Sequence, residues 1–397
     1  MNISRLKALL GATALTIVAA GAAQAGGFAR GTADTDILYE EGNFNMRAGV
    51  TYVNPTREYT RNGNPALVGT SYTDSYAIPS AAVKFNIMNN LRCAGTIVEN
   101  NGGSAHYAFP TASGKILEEF DTTETALTCG MNFEVGKGRL WLLGGGYMEK
   151  FDYDRQNFYG ALGNATLNLE GQEFGYRVGV AYDIPEIALR GQIMYRSGTD
   201  YGAEGMLRAP AAVLCAATGI PGFCLAPPTM QIPVPALGIG SLPQSVDLKF
   251  QTGVAPGWLA FGAVKWTDWT ATTTLDVRAA ATGTQITSDK YFWKDGWTVT
   301  GGIGHAFTDQ ISGLASITWD RGVSTGWDLS SDTWTLGLGA SAKDKLGGEI
   351  RGGVGLTYIS AAAETKYGPN PNITDGTDSA VKAGYAFAFN LGYSIKW

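Results

Sequence analysis

The sequence has little histidine and little charge, and it lacks any long apolar run in its main part. It has two histidines, and charged residues make up 16% of its 397 positions. A formal net charge of −6 without a basic cluster argues against nucleic acid as a partner. After residue 25 no run of about eighteen apolar residues occurs, so we do not expect a membrane-spanning helix.

The first 25 residues have the composition of a secretory signal peptide. Arg5 and Lys7 precede an uncharged run over 8–23, and Ala23-Gln24-Ala25 has the small-x-small pattern of a cleavage site. The sequence therefore predicts a signal peptide at 1–25 and a mature chain that starts near Gly26.

The last thirteen residues predict a strand with one strongly apolar face. Aromatic or aliphatic residues occupy every second position from Tyr385 to Trp397, with small or polar residues between them. Because successive side chains of a strand point to opposite faces, one face needs an apolar medium. Lipid outside and water inside is the environment of a transmembrane β-barrel strand. The terminal Trp397 resembles the signal that the bacterial outer-membrane insertion machinery recognises, so we expect the bacterial outer membrane.

The same alternation recurs along the chain, between turns rich in glycine and polar residues. The 54 glycines, 18 tyrosines and 10 tryptophans suit tight turns and interfacial aromatic girdles. We predict an all-β fold, a transmembrane antiparallel β-barrel of about 14 strands, since bacterial single-chain barrels have even strand numbers. The predicted strands lie near 45–54, 75–87, 91–107, 123–135, 139–153, 173–184, 188–203, 245–255, 258–277, 292–307, 311–321, 332–343, 348–361 and 382–397.

Two regions lack this alternation. The segment 26–44 precedes the barrel (45–397), and we interpret it as a short N-terminal plug that folds into the lumen or extends into the periplasm. The stretch 209–246 has seven prolines and no charged residue, and the prolines exclude a membrane-spanning helix. We predict an apolar extracellular loop at 204–245, either a hydrophobic docking surface or a loop that packs on itself.

The four cysteines suggest two local disulfides in an exported chain. Cys215 and Cys224 lie within the apolar loop, and Cys93 and Cys129 lie on the third and fourth predicted strands. Four cysteines allow three connectivities, and this pairing rests on proximity in sequence. Metal binding is the alternative, but the cysteines include no Cys-x-x-Cys spacing.

A catalytic site has little support. His106 lies near the end of the third predicted strand, with Ser104, Glu118 and Asp121 close in sequence, whereas His305 lies in phase with packing residues. We predict no catalytic residue, no metal, no cofactor and no enzymatic activity. An outer-membrane lipid hydrolase that uses His106 and a purely structural barrel remain alternatives.

The order and spacing of these strands, together with three motifs, resemble the FadL-type long-chain fatty acid outer-membrane transporters (OMPP1/FadL/TodX-like) over nearly the whole mature chain. The motifs are Tyr195-Arg196-Ser197, Lys265-Trp266-Thr267-Asp268-Trp269 and Trp293-Lys294-Asp295-Gly296-Trp297. The resemblance implies passive uptake of a hydrophobic compound, a long-chain fatty acid above all. Extracellular loops would capture it, and after plug movement it would leave through the barrel wall.

We expect a monomer. Its partners would be the ligand (a fatty acid or hydrocarbon), outer-membrane lipid and lipopolysaccharide, and the insertion machinery during assembly.

The resemblance also implies a carboxylate-binding pair. The family has an arginine after the fifth strand and a lysine just before the tenth, which Arg155 and Lys290 match. Arginine suits bidentate carboxylate recognition and lysine adds a point charge. Phe151, Phe158 and Tyr159 would supply an apolar wall. The alternative for both cations is an ordinary solvated loop charge.

The N-terminal segment departs from the family pattern. It is shorter than the family's plug and lacks the plug's Asn-Pro-Ala motif, since the Asn-Pro-Ala at 64–66 follows the first strand. A short segment could leave the lumen open, so a general diffusion porin is the second interpretation. The uncharged 209–246 stretch argues against it, because a porin constriction loop is usually rich in charges.

Overall fold

A computed structural model describes residues 27–345, 347–364 and 378–397. The predicted signal peptide at 1–25 and Gly26 lie outside the described residues. The described residues are mostly strands, with two short helices, α1 (Ala211–Thr218) and α2 (Pro221–Cys224). Short 3-10 turns lie at Thr35–Tyr39, Pro65–Leu67, Gly160–Leu162, Pro185–Ile187 and Trp269–Ala271. No helix in these ranges is both long and apolar enough to cross a bilayer.

The strands of the described residues share the extended, alternating pattern seen in the sequence. In chain order they are β1 (Phe44–Thr56), β2 (Tyr59–Arg61), β3 (Tyr76–Asn86), β4 (Leu91–His106), β5 (Lys115–Val135), β6 (Gly138–Phe158), β7 (Asn164–Ile184), β8 (Leu189–Arg196), β9 (Thr199–Pro210), β10 (Gln231–Leu242), β11 (Ser245–Ala255), β12 (Trp258–Thr267), β13 (Thr274–Ala279), β14 (Gln285–Lys290), β15 (Gly296–Ala306), β16 (Ile311–Asp320), β17 (Thr333–Lys343), β18 (Gly348–Ile359), β19 (Ala362–Ala363), β20 (Ala380–Val381) and β21 (Gly384–Lys396).

Fourteen of these strands close into an antiparallel barrel, which confirms the predicted fold class. The order around the barrel is β1-β3-β4-β5-β6-β7-β8-β11-β12-β15-β16-β17-β18-β21, and β21 pairs back onto β1 from Asn45↔Lys396 to Thr56↔Tyr385. Turns such as 136–137 and 256–257 join the strands at one end, which we call the turn end. The longer connections lie at the other end, which we call the loop end.

The faces of β21 agree with the predicted alternation. Phe387, Phe389 and Leu391 point outward and are 54–61% exposed, whereas Ala386 and Ala388 point inward and are at most 4% exposed. The outward rows of the other strands are similarly apolar, as in Leu336 and Leu338 of β17. An outer surface of this kind is stable only against lipid.

At the loop end the sheet continues beyond the barrel, where the sequence predicted a loop. Residues 199–210 and 231–242 form β9 and β10, so the predicted loop at 204–245 reduces to the connection 211–230. β9 pairs with the upper part of β7, and β10 pairs with β9 and β13. The prediction missed these strands because their prolines and glycines weaken the alternating pattern. Pro233 and Pro235 nevertheless lie in register with Arg208 and Met206.

The described N-terminal segment (27–43) lies inside the barrel. Its 3-10 turn buries Ile37, Leu38 and Tyr39 against inward residues of β3, β4, β6, β7 and β8. Glu40 accepts hydrogen bonds from Arg47 and Asn45, and Asp36 forms ion pairs with Lys249 and Arg190. The segment therefore occupies the turn-end half of the lumen.

Both predicted disulfides are present. Cys93 pairs with Cys129 across β4 and β5, where the two residues lie directly opposite each other. Cys215 pairs with Cys224 and joins α1 to α2. The strand register explains the first pair, and a separation of nine residues explains the second.

Candidate ligand-binding site

The loop-end half of the lumen is filled by an apolar and aromatic cluster, which we call the upper cluster. Alternation along β6 and β7 points Phe151 and Leu167 inward, and the ring of Phe151 stacks on Tyr201 of β9 at 4.3 Å between centroids. The buried members of the upper cluster are Phe120, Phe151, Tyr153, Ala165, Leu167, Leu169, Tyr201, Ala203, Leu207, Ala209, Leu214, Val234, Ala236, Leu242, Leu275, Val277 and Ala279.

The helix α1 covers the upper cluster from the loop end. Leu214 is 1% exposed and packs into the cluster, while the helix ends at Gly219, whose φ of 66° is strained for any other residue. The disulfide ties α1 to α2, and beyond it Leu225 is 87% exposed. The connection 211–230 is thus a short lid with an apolar inner surface and an apolar tip.

Four charged side chains lie beside the upper cluster and neutralise one another. Lys115 Nζ lies 2.6 Å from Glu118 Oε2 and 3.4 Å from Asp289 Oδ1, and Arg155 Nη1 lies 2.9 Å from Asp289 Oδ2. The Tyr153 hydroxyl donates to Glu118 Oε1 at 2.7 Å. Two cations therefore face two carboxylates, and the group carries no surplus charge.

The structure brings some of the predicted binding residues together and separates others. Phe151 lies in the upper cluster and Tyr159 packs against it, but Phe158 is 43% exposed. Arg155 is paired with Asp289, whereas the Lys290 ammonium lies 5.5 Å from the centroid of the Trp327 ring. Ligand binding by these residues stays a prediction.

Aromatic residues that were not predicted to bind ligand form the floor of the upper cluster. Phe28, from the N-terminal segment, lies 4.4 Å from Phe120, 5.3 Å from Tyr291 and 4.6 Å from Trp293 between ring centroids. Trp269 packs edge-on against Trp293 at 5.2 Å. Trp269 and Trp293 belong to the motifs that carried the family resemblance, which was the available signal.

Burial raises the pKa of the Tyr291 hydroxyl well above its ordinary value. The hydroxyl therefore stays protonated and can donate a hydrogen bond to a ligand. The Tyr291 side chain packs against the upper cluster. Lys290, which was predicted to bind a carboxylate, is the residue directly before it.

Below the floor lies a partly open cavity of about 70 Å³, lined by charged as well as apolar groups, which we call the lower cavity. The N-terminal segment forms one side through Ala29 and Gly31, and Trp269 forms part of the top. The charged groups that line it are Glu124, Arg177, Arg196, Asp247, Lys249 and Lys265. Arg196 forms salt bridges with Glu124 at 2.8 Å and with Glu149 at 2.9 Å, and Arg177 also pairs with Glu124.

The barrel wall is interrupted between β3 and β4. The two strands pair from Asn86↔Arg92 to Ser80↔Val98 and meet again only at Thr73↔Ala105. Residues 74–79 and 99–104 form no backbone pairs with each other, and we call this interruption the wall gap. A bulge at Asn100 against β5 accompanies it, and bulges commonly end or redirect pairing.

The start of the N-terminal segment fills the wall gap from inside. Arg30 N donates to Asn100 O at 2.9 Å, and Gly102 N donates to Phe28 O at 2.7 Å, so 28–31 takes the place of β3 beside β4. The Arg30 guanidinium pairs with Glu99 and lies 4.2 Å from the centroid of the Tyr76 ring. A Cβ at Gly102 would meet this guanidinium at 2.5 Å, so glycine provides the necessary space.

The described residues also show how the side chains named for a metal site and for a hydrolase are placed. No group of three His, Cys, Asp or Glu side chains suited to a metal ion occurs there. The Ser104 hydroxyl contacts Asp74 at 3.0 Å and Glu119 at 2.9 Å rather than the imidazole of His106.

Comparison with known proteins gives one family match. Residues 122–322 match the model of a family described as outer membrane protein transport protein (OMPP1/FadL/TodX). No curated protein matches the chain by sequence.

Several solved structures are similar in fold. A FadL homologue of Pseudomonas aeruginosa is 13% identical, with a TM-score of 0.72 over 91% of this chain and 94% of that one. The toluene transporter TodX of P. putida is 10% identical, with a TM-score of 0.62 over 91% and 92%. The toluene transporter TbuX of Ralstonia pickettii is also 10% identical, with a TM-score of 0.59 over 90% of each chain.

Proposed function

Since the chain belongs to the outer-membrane transport family OMPP1/FadL/TodX, we propose that it takes up a long-chain fatty acid, or a compound of similar apolarity, by passive lateral release. The family consists of outer-membrane channels for hydrophobic compounds and not of enzymes. The substrate, the route and the gating of this chain are the subject of the proposal.

Capture would occur at the loop end, which faces the exterior if the short turns are periplasmic, as in other bacterial barrels. The exposed apolar tip of the lid offers a first surface, and the upper cluster beneath it offers an apolar interior. Each methylene group that leaves water there contributes about 0.8 kcal/mol. A gradient of ligand then suffices to drive uptake.

Straight descent through the lumen is unfavourable for an apolar chain. Below the floor it would have to displace the salt bridges of Glu124 and Glu149, and below those the ion pairs of Asp36. A buried charge that loses its partner costs about 3–5 kcal/mol, because it is left uncompensated. The lower lumen therefore favours an exit at the side.

The wall gap is the observation that carries the proposal. It lies beside Ile97, an outward apolar residue that is 46% exposed, so a ligand leaving there would enter lipid without crossing water. The segment 28–31 fills the opening from inside, and its Phe28 also forms part of the floor. Withdrawal of this segment would connect the upper cluster to the bilayer.

The N-terminal segment would thus act as the plug. Residues 33–40 hold it in the turn-end half of the lumen, whereas 28–31 closes the wall gap. Movement of 28–31 alone would open the side exit and leave the rest of the lumen blocked. This arrangement supports a transporter rather than a diffusion porin, despite the short segment.

A disulfide lock tests lateral release. Ala29 and Asn101 are antiparallel bridge partners, a spacing that suits a disulfide, so Ala29→Cys with Asn101→Cys would fix the segment to β4. The matched control is Ala81→Cys with Ile97→Cys, which would join β3 to β4 where they already pair. Uptake of labelled dodecanoate by cells carrying each variant is measured before and after reduction.

We expect the oxidised lock to abolish uptake and reduction to restore it, while the control variant and the reduced wild type transport normally. Normal uptake by the oxidised lock would exclude release through the wall gap. Single-channel recording and mass spectrometry of co-purifying lipids address the porin alternative. A large steady conductance without a bound fatty acid or hydrocarbon would favour the porin.

An uncharged aromatic hydrocarbon is the second candidate ligand. It is favoured by the self-neutralised charges beside the upper cluster, which leave no free cation there for a carboxylate. TodX and TbuX, which share the fold, are toluene transporters. Competition between toluene and dodecanoate in the uptake assay distinguishes the two classes.

A further inference from the structure

The lower cavity contains one cation, Lys265, that forms no direct ion pair in the described residues, although the carboxylates of Asp247, Asp320 and Glu124 act on its charge from a longer distance. Arg177 and Arg196 form salt bridges with Glu124, and Lys249 forms one with Asp36 at 3.3 Å. Lys265, by contrast, forms neither a hydrogen bond nor a salt bridge with any residue in the described ranges. Its cross-strand neighbour on β11 is Asp247, and no salt bridge joins the two.

Lys265 is held in place by the strand that carries it. It lies on β12 in register with Asp247 of β11 and Thr298 of β15, and the alternation of β12 turns it into the lumen, where it lines the lower cavity. Of the charged groups that line this cavity, four are cations and two are carboxylates. An ammonium in such a place is costly unless an anion or water satisfies it.

The lower cavity is also well placed relative to the proposed route. Ala29 and Trp269 line it directly below the aromatic floor, and Gly31, Asn100 and Asn101 line it beside the wall gap. A head group held there would keep an attached apolar chain within reach of both the upper cluster and the exit. The cations beside the upper cluster are not available to a ligand carboxylate in the same way, because Arg155 and Lys115 already form ion pairs with Asp289 and Glu118.

We propose that Lys265 binds the carboxylate of a long-chain amphipathic ligand in the lower cavity and thereby determines the affinity for fatty acids over uncharged compounds. The inference rests on the proposed function and deepens it, since it assigns the head-group site to Lys265 rather than to Arg155 and Lys290. Lysine supplies a point charge and three donors, which suits a carboxylate that rotates as the tail moves.

The test compares ligands that differ only in head group. Binding of dodecanoate and of dodecanol to the purified full-length protein is measured by calorimetry and by the fluorescence of Trp269 and the other tryptophans. The variant Lys265→Met removes the charge with little change in volume, and Lys265→Arg keeps it. The control Lys137→Met removes a lysine from an exposed turn.

We expect Lys265→Met to weaken dodecanoate binding about tenfold, equivalent to about 1.4 kcal/mol, and to leave dodecanol binding unchanged. Lys265→Arg should retain most of the affinity for dodecanoate, which keeps the test decisive if the Met variant folds poorly. Lys137→Met should bind both ligands as the wild type does.

Three results would overturn the assignment to Lys265. They are an equal loss of dodecanoate and dodecanol binding in Lys265→Met, a selective loss of dodecanoate in Lys290→Met or Arg155→Met instead, and Lys265-dependent binding of acetate as tight as that of dodecanoate. The last would indicate a general site for small carboxylates. If the wild type binds neither dodecanoate nor dodecanol, the proposed function fails, and not merely the role of Lys265.

Discussion

The upper cluster and the lower cavity lie within one barrel, yet their linings differ in packing and in charge. The upper cluster is tightly packed and aromatic, and the four charges beside it cancel. The lower cavity is partly open and has charged groups in its lining, and among the described residues its Lys265 forms no direct ion pair. The difference supports the proposal that the upper cluster binds the apolar part of a ligand and that the lower cavity binds its charged head group. Phe28 and Trp269 form the boundary between them.

Truncation of Phe151 in the upper cluster should have the largest effect on stability. Phe151→Ala should lower the free energy of unfolding by about 3–5 kcal/mol, because it removes a ring from a packed cluster and leaves a void. Met194→Ala, which borders the open lower cavity, should cost only about 2 kcal/mol, at the low end for Met. Guanidinium unfolding of the purified barrels, followed by tryptophan fluorescence, measures both. Equal losses would indicate that the two halves are packed alike.

Acid should loosen the N-terminal segment in the turn-end half of the lumen. Burial would raise the pKa of Glu40, but Arg47 and Lys396 lower it, to about 2, from an ordinary value of 4.5. Because the folded pKa is depressed, the stabilisation is present above pH 4.5 and is lost as the pH falls toward 2. It amounts to about 3 kcal/mol, at ~1.4 kcal/mol per pKa unit.

The pKa of Asp36 is also lowered, because Lys249, Arg190 and Arg47 outweigh the opposing effect of burial. Protease cleavage within 27–43 should therefore increase between pH 5 and pH 3, because these carboxylates begin to take up protons in that range. Glu40→Gln should already be sensitive at neutral pH and should change less on acidification. If cleavage of Glu40→Gln depended on pH as it does in the wild type, Glu40 would not be the group that holds this segment.

Removal of the Asp289 carboxylate should leave a surplus cation beside the upper cluster, so that this region could also bind a ligand carboxylate. Asp289→Asn leaves Lys115 and Arg155 with Glu118 alone, so a surplus cation appears beside the upper cluster. Dodecanoate affinity should increase about tenfold, or 1.4 kcal/mol, while dodecanol affinity stays constant. Asp289→Glu, which keeps the charge, is the control. No gain in dodecanoate binding would show that neutralisation beside the upper cluster does not determine its selectivity.

The smallest effect is expected for Arg30, in the part of the N-terminal segment that fills the wall gap. Arg30→Met removes the ion pair with Glu99 and the contact with the Tyr76 ring, a cation–π contact of about 0.5–2 kcal/mol. The segment 28–31 should leave the wall gap more often, so dodecanoate uptake should rise several-fold. Arg61→Met, in an exposed salt bridge at the loop end, is the matched control and should have no effect. Slower uptake in Arg30→Met would contradict a closing role for Arg30.

Much of the barrel could be predicted from the sequence because alternation is a local property. Fourteen predicted segments correspond to the barrel strands, and the pairing of Cys93 with Cys129 followed from their positions on adjacent strands. The extension of β5, β6 and β7 at the loop end was missed. Residues such as Asp154 and Glu170 are polar on the outer face there, so the apolar half of the pattern disappears.

The candidate site was predicted less completely, because its contacts join residues far apart in the chain. Phe151 could be found from its phase on β6, but the partner of Arg155 lies 134 residues away at Asp289. Phe28 had no pattern to mark it, since its position against Phe120 depends on the N-terminal segment turning into the lumen.

The sequence by itself determined where the membrane-spanning parts of the fourteen barrel strands lie, which of their faces meets lipid and that the chain forms an even-stranded barrel. The reason is physical: a period of two residues specifies a strand face without reference to any other strand. Only the tertiary structure decided which cations form ion pairs. The fold brings Arg155 of β6 to Asp289 of β14, so Arg155 receives a counter-ion, while Lys265 lines the lower cavity and forms no direct ion pair in the described residues.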